Sequence, residues 1–176
     1  MFDSTFHEPV SSFPAVKLVQ EPLPLEGPDW TTVGPTGRMS AMTEENDGSV
    51  VVVDGSNVAH AVEGKGARLE NIRVVCRKLQ EEGFRPVVLV DAKLRHEIDE
   101  PEEYESLVAK GMIRQAPAGT DADYFILSFA REFDARVVSN DRFRELAGGF
   151  PEIVESVIRF MVVEGEVVLE KRAGRR

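Results

Sequence analysis

Four consecutive valines, Val50 to Val53, restrict the fold of this chain more than any other segment does. β-Branched side chains favour extended backbone, and a short uninterrupted apolar run is typical of a strand buried on both faces. The run ends at Asp54-Gly55-Ser56-Asn57, whose residue types are typical of a turn. We therefore predict that the folded domain begins near Ser49 with a buried strand.

Helix and strand patterns alternate along the rest of the chain. Apolar residues at helical spacing predict helices over 68–82, 101–110, 121–133 and 151–157. Short apolar runs predict strands over 86–90, 112–115 and 135–139, followed by two strands within 159–170. This alternation predicts a single α/β domain with a mostly parallel central sheet and helices on both faces.

The chain divides into three segments by composition. Residues 1–48 carry six of the ten prolines with little apolar periodicity, which predicts a mostly disordered arm. Trp30 offers the alternative that part of this arm docks on the domain. Residues 49–170 form the predicted domain, and residues 171–176 form a basic tail.

Charge and cysteine content exclude several classes of protein. The net charge of −10 argues against a protein that coats nucleic acid with bulk positive charge, but it does not argue against an enzyme that binds metal through carboxylates. A lone cysteine, Cys76, can form neither a structural disulfide nor a CxxC zinc site within the chain. No apolar run reaches the roughly 18 residues of a membrane span. We expect a cytoplasmic protein with no membrane partner.

Acidic residues follow two of the predicted strands and open one predicted helix. Asp54 ends the first strand, Asp141 follows the strand at 135–139, and Asp121 with Asp123 opens the helix before it. Parallel strands end at the same edge of a sheet, so these acids should converge there. Close carboxylates repel one another unless a cation lies among them, and oxygen ligands suit Mg²⁺ or Mn²⁺, ions that promote phosphodiester cleavage.

Each acid taken alone also has an ordinary structural interpretation. Asp54, with Ser56 and Asn57, could make a turn and cap a helix; Asp121 could be a helix N-cap, and Asp123 could complement the dipole of the same helix. Asp141 could start a short helix. The metal site is therefore a prediction about the set of acids rather than about any one of them.

Three segments together resemble the catalytic core of NYN-domain nucleases, within the PIN-like superfamily, and most closely the regnase-type ribonucleases. They are VVDGSNVA at 52–59, DYFI at 123–126 and VVSNDRFR at 137–144. The resemblance covers about residues 50–165. It implies a PIN-like, Rossmannoid fold and a Mg²⁺-dependent endoribonuclease.

The resemblance also implies roles for particular residues. On matching positions, Asp54, Asp123 and Asp141 would be the central metal ligands and catalytic acids. Asn57 matches an asparagine that supports the site and the RNA, and Glu145 matches a further acid.

Three positions match the resembled pattern less closely. Arg95 is similar in placement to an arginine expected to face RNA phosphates. Regnase-type members often have two adjacent acids where this chain has Ala122-Asp123, so Asp121 either replaces the missing ligand or only caps the helix. Asp91 ends the second strand and is either an additional ligand or an ordinary acid at the sheet edge.

The resemblance further implies partners. The expected substrate is RNA, single-stranded or structured, and PIN-like nucleases often pair as homodimers.

The alternative to a nuclease is a non-catalytic PIN-fold module that binds RNA or has a regulatory role, acting through a protein partner of residues 1–48. A phosphatase with an Asp nucleophile would need a second acid two residues after Asp54, where Ser56 stands.

Overall fold

The computed structural model describes Trp30 and residues 48–170, so most of the predicted arm and all of the basic tail lie outside the described residues. Strands and helices alternate as predicted through most of the domain. In chain order they are β1 (Val50–Asp54), α1 (Gly55–Ala59), α2 (Leu69–Glu81), β2 (Arg85–Val90), a 3-10 helix (Ala92–His96), α3 (Pro101–Ala109), β3 (Ile113–Gln115), α4 (Ala122–Glu132), β4 (Arg136–Val138), α5 (Pro151–Glu155), β5 (Phe160–Val163) and β6 (Glu166–Leu169).

The central sheet has four strands in the order β3-β2-β1-β4, and every neighbouring pair is parallel. The valine run of β1 lies in the middle of the sheet, where Val52 is opposite Val87 on one side and Val137 on the other. The predicted α/β class and the mostly parallel sheet are therefore confirmed.

Two separate hydrophobic cores cover the two faces of the sheet. Val51 and Val53 belong to a core built with α2, α3 and the β5–β6 pair, whereas Val52 belongs to a core built with α4 and α5. Side chains alternate between faces along a strand, so consecutive valines must serve both cores. All three valines are fully buried, which explains why the run contains no polar residue.

The structure differs from the sequence prediction in two places. The predicted turn after β1 is the short helix α1, because the Asp54 carboxylate caps it by accepting a hydrogen bond from Asn57 N at 3.1 Å. The 3-10 helix after β2 was not predicted. The two strands predicted within 159–170 are present, and they pair antiparallel with each other in a second sheet.

Trp30 is packed into the domain. Its side chain is fully buried within the core on the α2 face, and its backbone N–H donates to Gln80 Oε1 at 3.0 Å. Of the two alternatives for this residue, the structure shows the docked one, so the predicted division at residue 48 does not mark the end of the packed core.

Within the described part of the chain, no helix combines the length and the apolar character needed to cross a membrane.

Gly55 lies where β1 passes into α1, and the space around its Cα is too small for a side chain. A Cβ built there would lie 2.5 Å from Val90 Cγ1 and 2.7 Å from Val88 Cγ1, both on the neighbouring strand. We expect Gly55→Ala to lower the free energy of unfolding by about 1 to 3 kcal/mol through overpacking, as measured by urea denaturation. Gly148→Ala is the control, because a Cβ there meets nothing within 4 Å. Equal stability of the two variants would contradict this account.

Candidate metal and nucleic-acid site

The site lies at the carboxyl-terminal edge of the sheet, where the chain reverses direction across the sheet. From β1 the chain passes outward through β2 to β3, and β4 then returns to the opposite side of β1. Open α/β sheets bind ligands at such a switch point. Asp54 ends β1, and Asp141 follows β4 by three residues, so both acids lie at this point.

Asp54 is held from both sides. Its carboxylate is 4% exposed, its Oδ1 accepts from Asn57 N at 3.1 Å, and its Oδ2 accepts from the Ser139 hydroxyl at 2.8 Å. These two donors satisfy a buried carboxylate that would otherwise be costly. The position of Asp54 is therefore fixed jointly by α1 and by the turn after β4.

Ser139 connects the two strand ends. Its hydroxyl donates to Asp54 and also accepts a hydrogen bond from Asp141 N at 3.0 Å. Asn57 adds a parallel connection, because its Oδ1 accepts from Asn140 N at 2.9 Å. The DGSN segment and the VSND segment, distant in sequence, thus form one hydrogen-bonded unit.

The turn after β4 is also held from outside. Arg159 Nη1 donates to the Ser139 carbonyl at 2.9 Å and to the Asp141 carbonyl. Asn140 exchanges two hydrogen bonds with the backbone of Phe160, at 2.9 and 3.2 Å. The β5–β6 pair therefore fixes the segment that carries Asp141.

Two further acids come from the start of α4. Asp121 is the N-cap, and its Oδ1 accepts from Asp123 N at 2.9 Å and from Tyr124 N at 3.1 Å. The carboxylate of Asp123 is different, because no described N–H or O–H group donates to it. Asp123 thus presents a half-buried carboxylate without a partner.

A cleft of about 580 Å³ opens beside these acids. Among the described residues, its lining combines four acids with two arginines and three other residues: Asp121, Asp123, Asp141, Glu145, Arg142, Arg144, Asn140, Phe143 and Leu146. Asp54 and Asn57 are not among the residues that line it. The structure therefore brings Asp121, Asp123, Asp141 and Glu145 together at one cleft.

The electrostatics of the acids agree with their convergence. The pKa of Asp123 is raised to about 6, first by burial and then by the charges of Asp54, Asp141, Asp121 and Asp91, in that order of size. Burial also raises the pKa of Asp54, against the lowering effect of its hydrogen bonds from Asn57 and Ser139. Both shifts show that negative charge is unfavourable here without a compensating cation.

Asp91 and Arg95 lie at the border of the site. Asp91 caps the 3-10 helix by accepting from Lys93 N at 2.8 Å, and its own N–H donates to Ser56 Oγ at 2.9 Å. Arg95 is exposed and forms an ion pair with Glu105 at 2.8 Å. An exposed ion pair of this kind contributes about 0 to 1 kcal/mol to stability, so it would not prevent Arg95 from contacting RNA. The RNA contact of Arg95 therefore stays a prediction.

Sequence reasoning did not single out Ser139, Asn140 or Arg159. Ser139 was within the VSND segment, but only the pairing of β4 beside β1 shows that its hydroxyl reaches Asp54. Arg159 is distant in sequence and had no motif to mark it. His60, in contrast, contacts the Ser56 carbonyl at 2.8 Å and Glu97 at 3.2 Å.

The chemistry of the donor set fits a divalent metal ion. All candidate ligands are carboxylate oxygens, which Mg²⁺ and Mn²⁺ prefer. Asp123, with no hydrogen-bond donor and a raised pKa, is the carboxylate that would gain most from a cation. In the described part of the chain, no three His, Cys, Asp or Glu side chains are already arranged as a metal site.

Similar solved structures share the α/β fold of this chain. Two structures of the nuclear protein-only RNase P 2 (PRORP2) of Arabidopsis thaliana match with TM-scores of 0.57 and 0.56, at 21% and 22% identity. Each match covers 70% of this chain and 30% of the PRORP2 chain, so the likeness concerns the fold of one part of that protein.

The family follows from the sequence itself. Residues 47–176 match the model of the Zc3h12a-like ribonuclease NYN domain. The chain belongs to this family, and the predicted NYN-domain resemblance is confirmed. No curated protein sequence matches the chain.

We expect Ser139→Ala to destabilise the domain by about 1 to 3 kcal/mol at neutral pH, because the buried Oδ2 of Asp54 loses its donor. Chemical denaturation measures the loss. Ser156→Ala is the matched control, since that hydroxyl only donates to the Ile153 carbonyl at a helix end. A loss no greater than that of the control would show that the Ser139 hydroxyl does not support Asp54.

The raised pKa of Asp123 predicts a pH dependence of stability. Between about pH 4 and pH 6 the folded state holds a proton on Asp123 that the unfolded state has released, so the free energy of unfolding falls as pH rises. Asp123→Asn removes this effect, whereas the effect of Asp54 remains in both proteins. We expect the melting temperature in EDTA to decline more steeply over this range in the parent than in the variant. Parallel curves would contradict the assignment.

Proposed function

We propose that this chain is a metal-dependent endoribonuclease that hydrolyses phosphodiester bonds in RNA. The observation that carries the proposal is the half-buried, undonated carboxylate of Asp123, whose pKa is raised to about 6 and which lies among other acids at the switch point of the sheet. Membership of a ribonuclease domain family supports the RNA substrate. A site that binds substrate phosphates through carboxylates needs cations between them.

Mg²⁺ or Mn²⁺ would be held by Asp54, Asp123 and Asp141, with Asp121 assisting. When bound, such an ion supplies an activated water and stabilises the charge that develops on the phosphate and leaving oxygens. The cap bond to Asp121 Oδ1 fixes the start of α4 and so orients Asp123. The hydrogen bonds made by Ser139 and Asn57 hold Asp54 and Asp141 in place relative to Asp123.

Hydrogen bonds from backbone N–H groups also limit the movement of the acidic side chains. Asp54, Asp121 and Asp141 each accept at least one backbone N–H through Oδ1, from Asn57, from α4 and from Phe143 respectively. For Asp121 and Asp141 no described donor reaches the second carboxylate oxygen. The capping roles and the proposed ligand roles therefore coexist on the same side chains.

A second candidate function is that of a non-catalytic PIN-fold module, which binds RNA or has a regulatory role. The observation in its favour is that the described acids are not already arranged as a three-ligand metal site. The raised pKa of Asp123 and the lack of a donor to it favour the nuclease. Homodimer formation, a protein partner for residues 1–48 and a cytoplasmic location remain predictions from the sequence.

We expect purified protein to cleave a circular single-stranded RNA in the presence of Mg²⁺ or Mn²⁺ and to lose this activity in EDTA. A circular substrate has no ends, so its cleavage identifies an endonuclease. Asp54→Asn, Asp123→Asn and Asp141→Asn should each reduce the rate by about a hundredfold or more, because each removes one charge from the proposed ion site. Gel electrophoresis of the labelled RNA measures the rate.

Asp134→Asn is the matched control for these three variants. Asp134 is exposed, lies just before β4 at the opposite edge of the sheet, and has a φ of 48° that asparagine also tolerates. This variant should cleave at the parent rate. Binding of RNA without chelator-sensitive cleavage would instead support the non-catalytic module, and full activity in Asp54→Asn would reject the proposed ion site.

A further inference from the structure

We infer that Arg142 and Arg144 bind phosphate groups of the RNA strand at the mouth of the acidic cleft, and so position the strand against the acids. The inference deepens the proposed function and rests on it for the nature of the ligand. The two guanidinium groups would supply the positive charge that an acidic protein needs in order to bind a polyanion.

The first reason is that these two arginines are free. Both are exposed and both line the cleft beside Asp121, Asp123 and Asp141. Within the described residues, neither forms a hydrogen bond or an ion pair, although acids share the same cleft.

Other arginines of the domain are engaged with carboxylates. Arg73 lies 3.1 Å from Glu100, Arg95 lies 2.8 Å from Glu105, and Arg68 lies 3.6 Å from Asp99. These three arginines thus differ from the two at the cleft, for which no described carboxylate is a partner.

The second reason is the way the chain presents them. Phe143, between the two arginines, is 2% exposed and packs into the core on the α4 face. It adopts a φ of 45°, and its N–H donates to Asp141 Oδ1 at 2.6 Å. A non-glycine residue rarely adopts this conformation, so packing must hold it there. The buried ring anchors the loop and leaves the arginine on each side at the surface.

The third reason is charge balance. The four acids and two arginines of the lining carry a formal charge of −2 when all are ionised. Without the two arginines the four acids would carry −4, which one divalent ion would only halve, so the cleft would repel the neighbouring phosphates of an RNA strand. Guanidinium groups bind phosphate oxygens in a bidentate manner and stay charged at every physiological pH. Arg142 directly follows Asp141, so its phosphate would lie next to the bond that is cut.

A competing explanation is that the arginines only offset the repulsion among the nearby acids. The salt dependence of RNA binding separates the two. Each phosphate neutralised by the protein releases counterions, so the slope of log K against log salt reports the number of phosphate contacts. Arginines that only screen acids would change metal affinity without changing this slope.

The experiment uses the full chain and a labelled single-stranded RNA of about 12 nucleotides, with Ca²⁺ in place of Mg²⁺. Fluorescence anisotropy gives Kd at salt concentrations from about 50 to 300 mM, and a gel confirms that the RNA stays intact. We expect Arg142→Ala and Arg144→Ala each to weaken binding about five- to tenfold and to lower the slope by about 0.7, with the double variant showing both losses. Double replacement by lysine should keep the slope.

Lys110→Ala is the charge-matched control. Lys110 is exposed and follows α3 just before β3, at the opposite edge of the sheet, so its loss should change neither Kd nor the slope. Thermal melting checks that all variants remain folded. A double alanine variant with the slope and Kd of the parent would overturn the inference, as would a parent that binds no RNA at the lowest salt.

Failure of this inference differs from failure of the proposed function. If the parent cleaves RNA and the double alanine variant keeps the parent slope and KM, the nuclease stands and the arginine contacts are rejected. If the parent binds RNA with the expected arginine dependence but never cleaves it, the contacts stand and the nuclease is rejected.

Discussion

The parallel pairing of β1 with strands on both sides is the constraint on which the rest of the structure depends. A central strand buried on two faces admits only apolar residues, and the valines meet this condition while leaving no room for a polar group until the strand ends. The first residue that can carry charge is Asp54. Because β2 and β4 run in the same direction, their ends deliver Asp91 and Asp141 to the same edge, and the polar chemistry of the domain is concentrated there.

The structural and the metal-binding interpretations of the acids turn out to describe the same geometry. Asp54, Asp91, Asp121 and Asp141 each accept a backbone N–H close in sequence, as turn and cap residues do. These bonds fix where each carboxylate points. The carboxylate of Asp123 caps no turn or helix. Within the described chain no hydrogen-bond donor offsets the cost of its burial among the other acids. Four acids held by backbone hydrogen bonds thus lie around one acid that is not. The site is preorganised, because the orientation of these four carboxylates is fixed before a ligand binds.

The sequence was sufficient for the parts of the fold that depend on local pattern. Strand β1, helices α2 and α4 and the alternation that defines a parallel sheet all follow from periodicity and turn residues. The helix α1 was only an alternative to a turn, because five residues are too few to show a helical period and its formation depends on the Asp54 cap. The β5–β6 pair was predicted as strands, but whether they join the main sheet depends on long-range packing. The hydroxyl bridge of Ser139 could not be predicted, because it requires the adjacency of strands that are far apart in sequence.

The burial of Trp30 has a consequence for what counts as the unit of folding. The matched family segment starts at residue 47, yet the largest side chain of the core comes from seventeen positions earlier in the chain. A protein shortened to the matched segment would keep every acid of the cleft but would open a void the size of an indole against α2, at a cost of about 3 to 5 kcal/mol. For a domain of this size that is a large share of the total stability. The residue that secures the nuclease fold thus lies outside the nuclease motif.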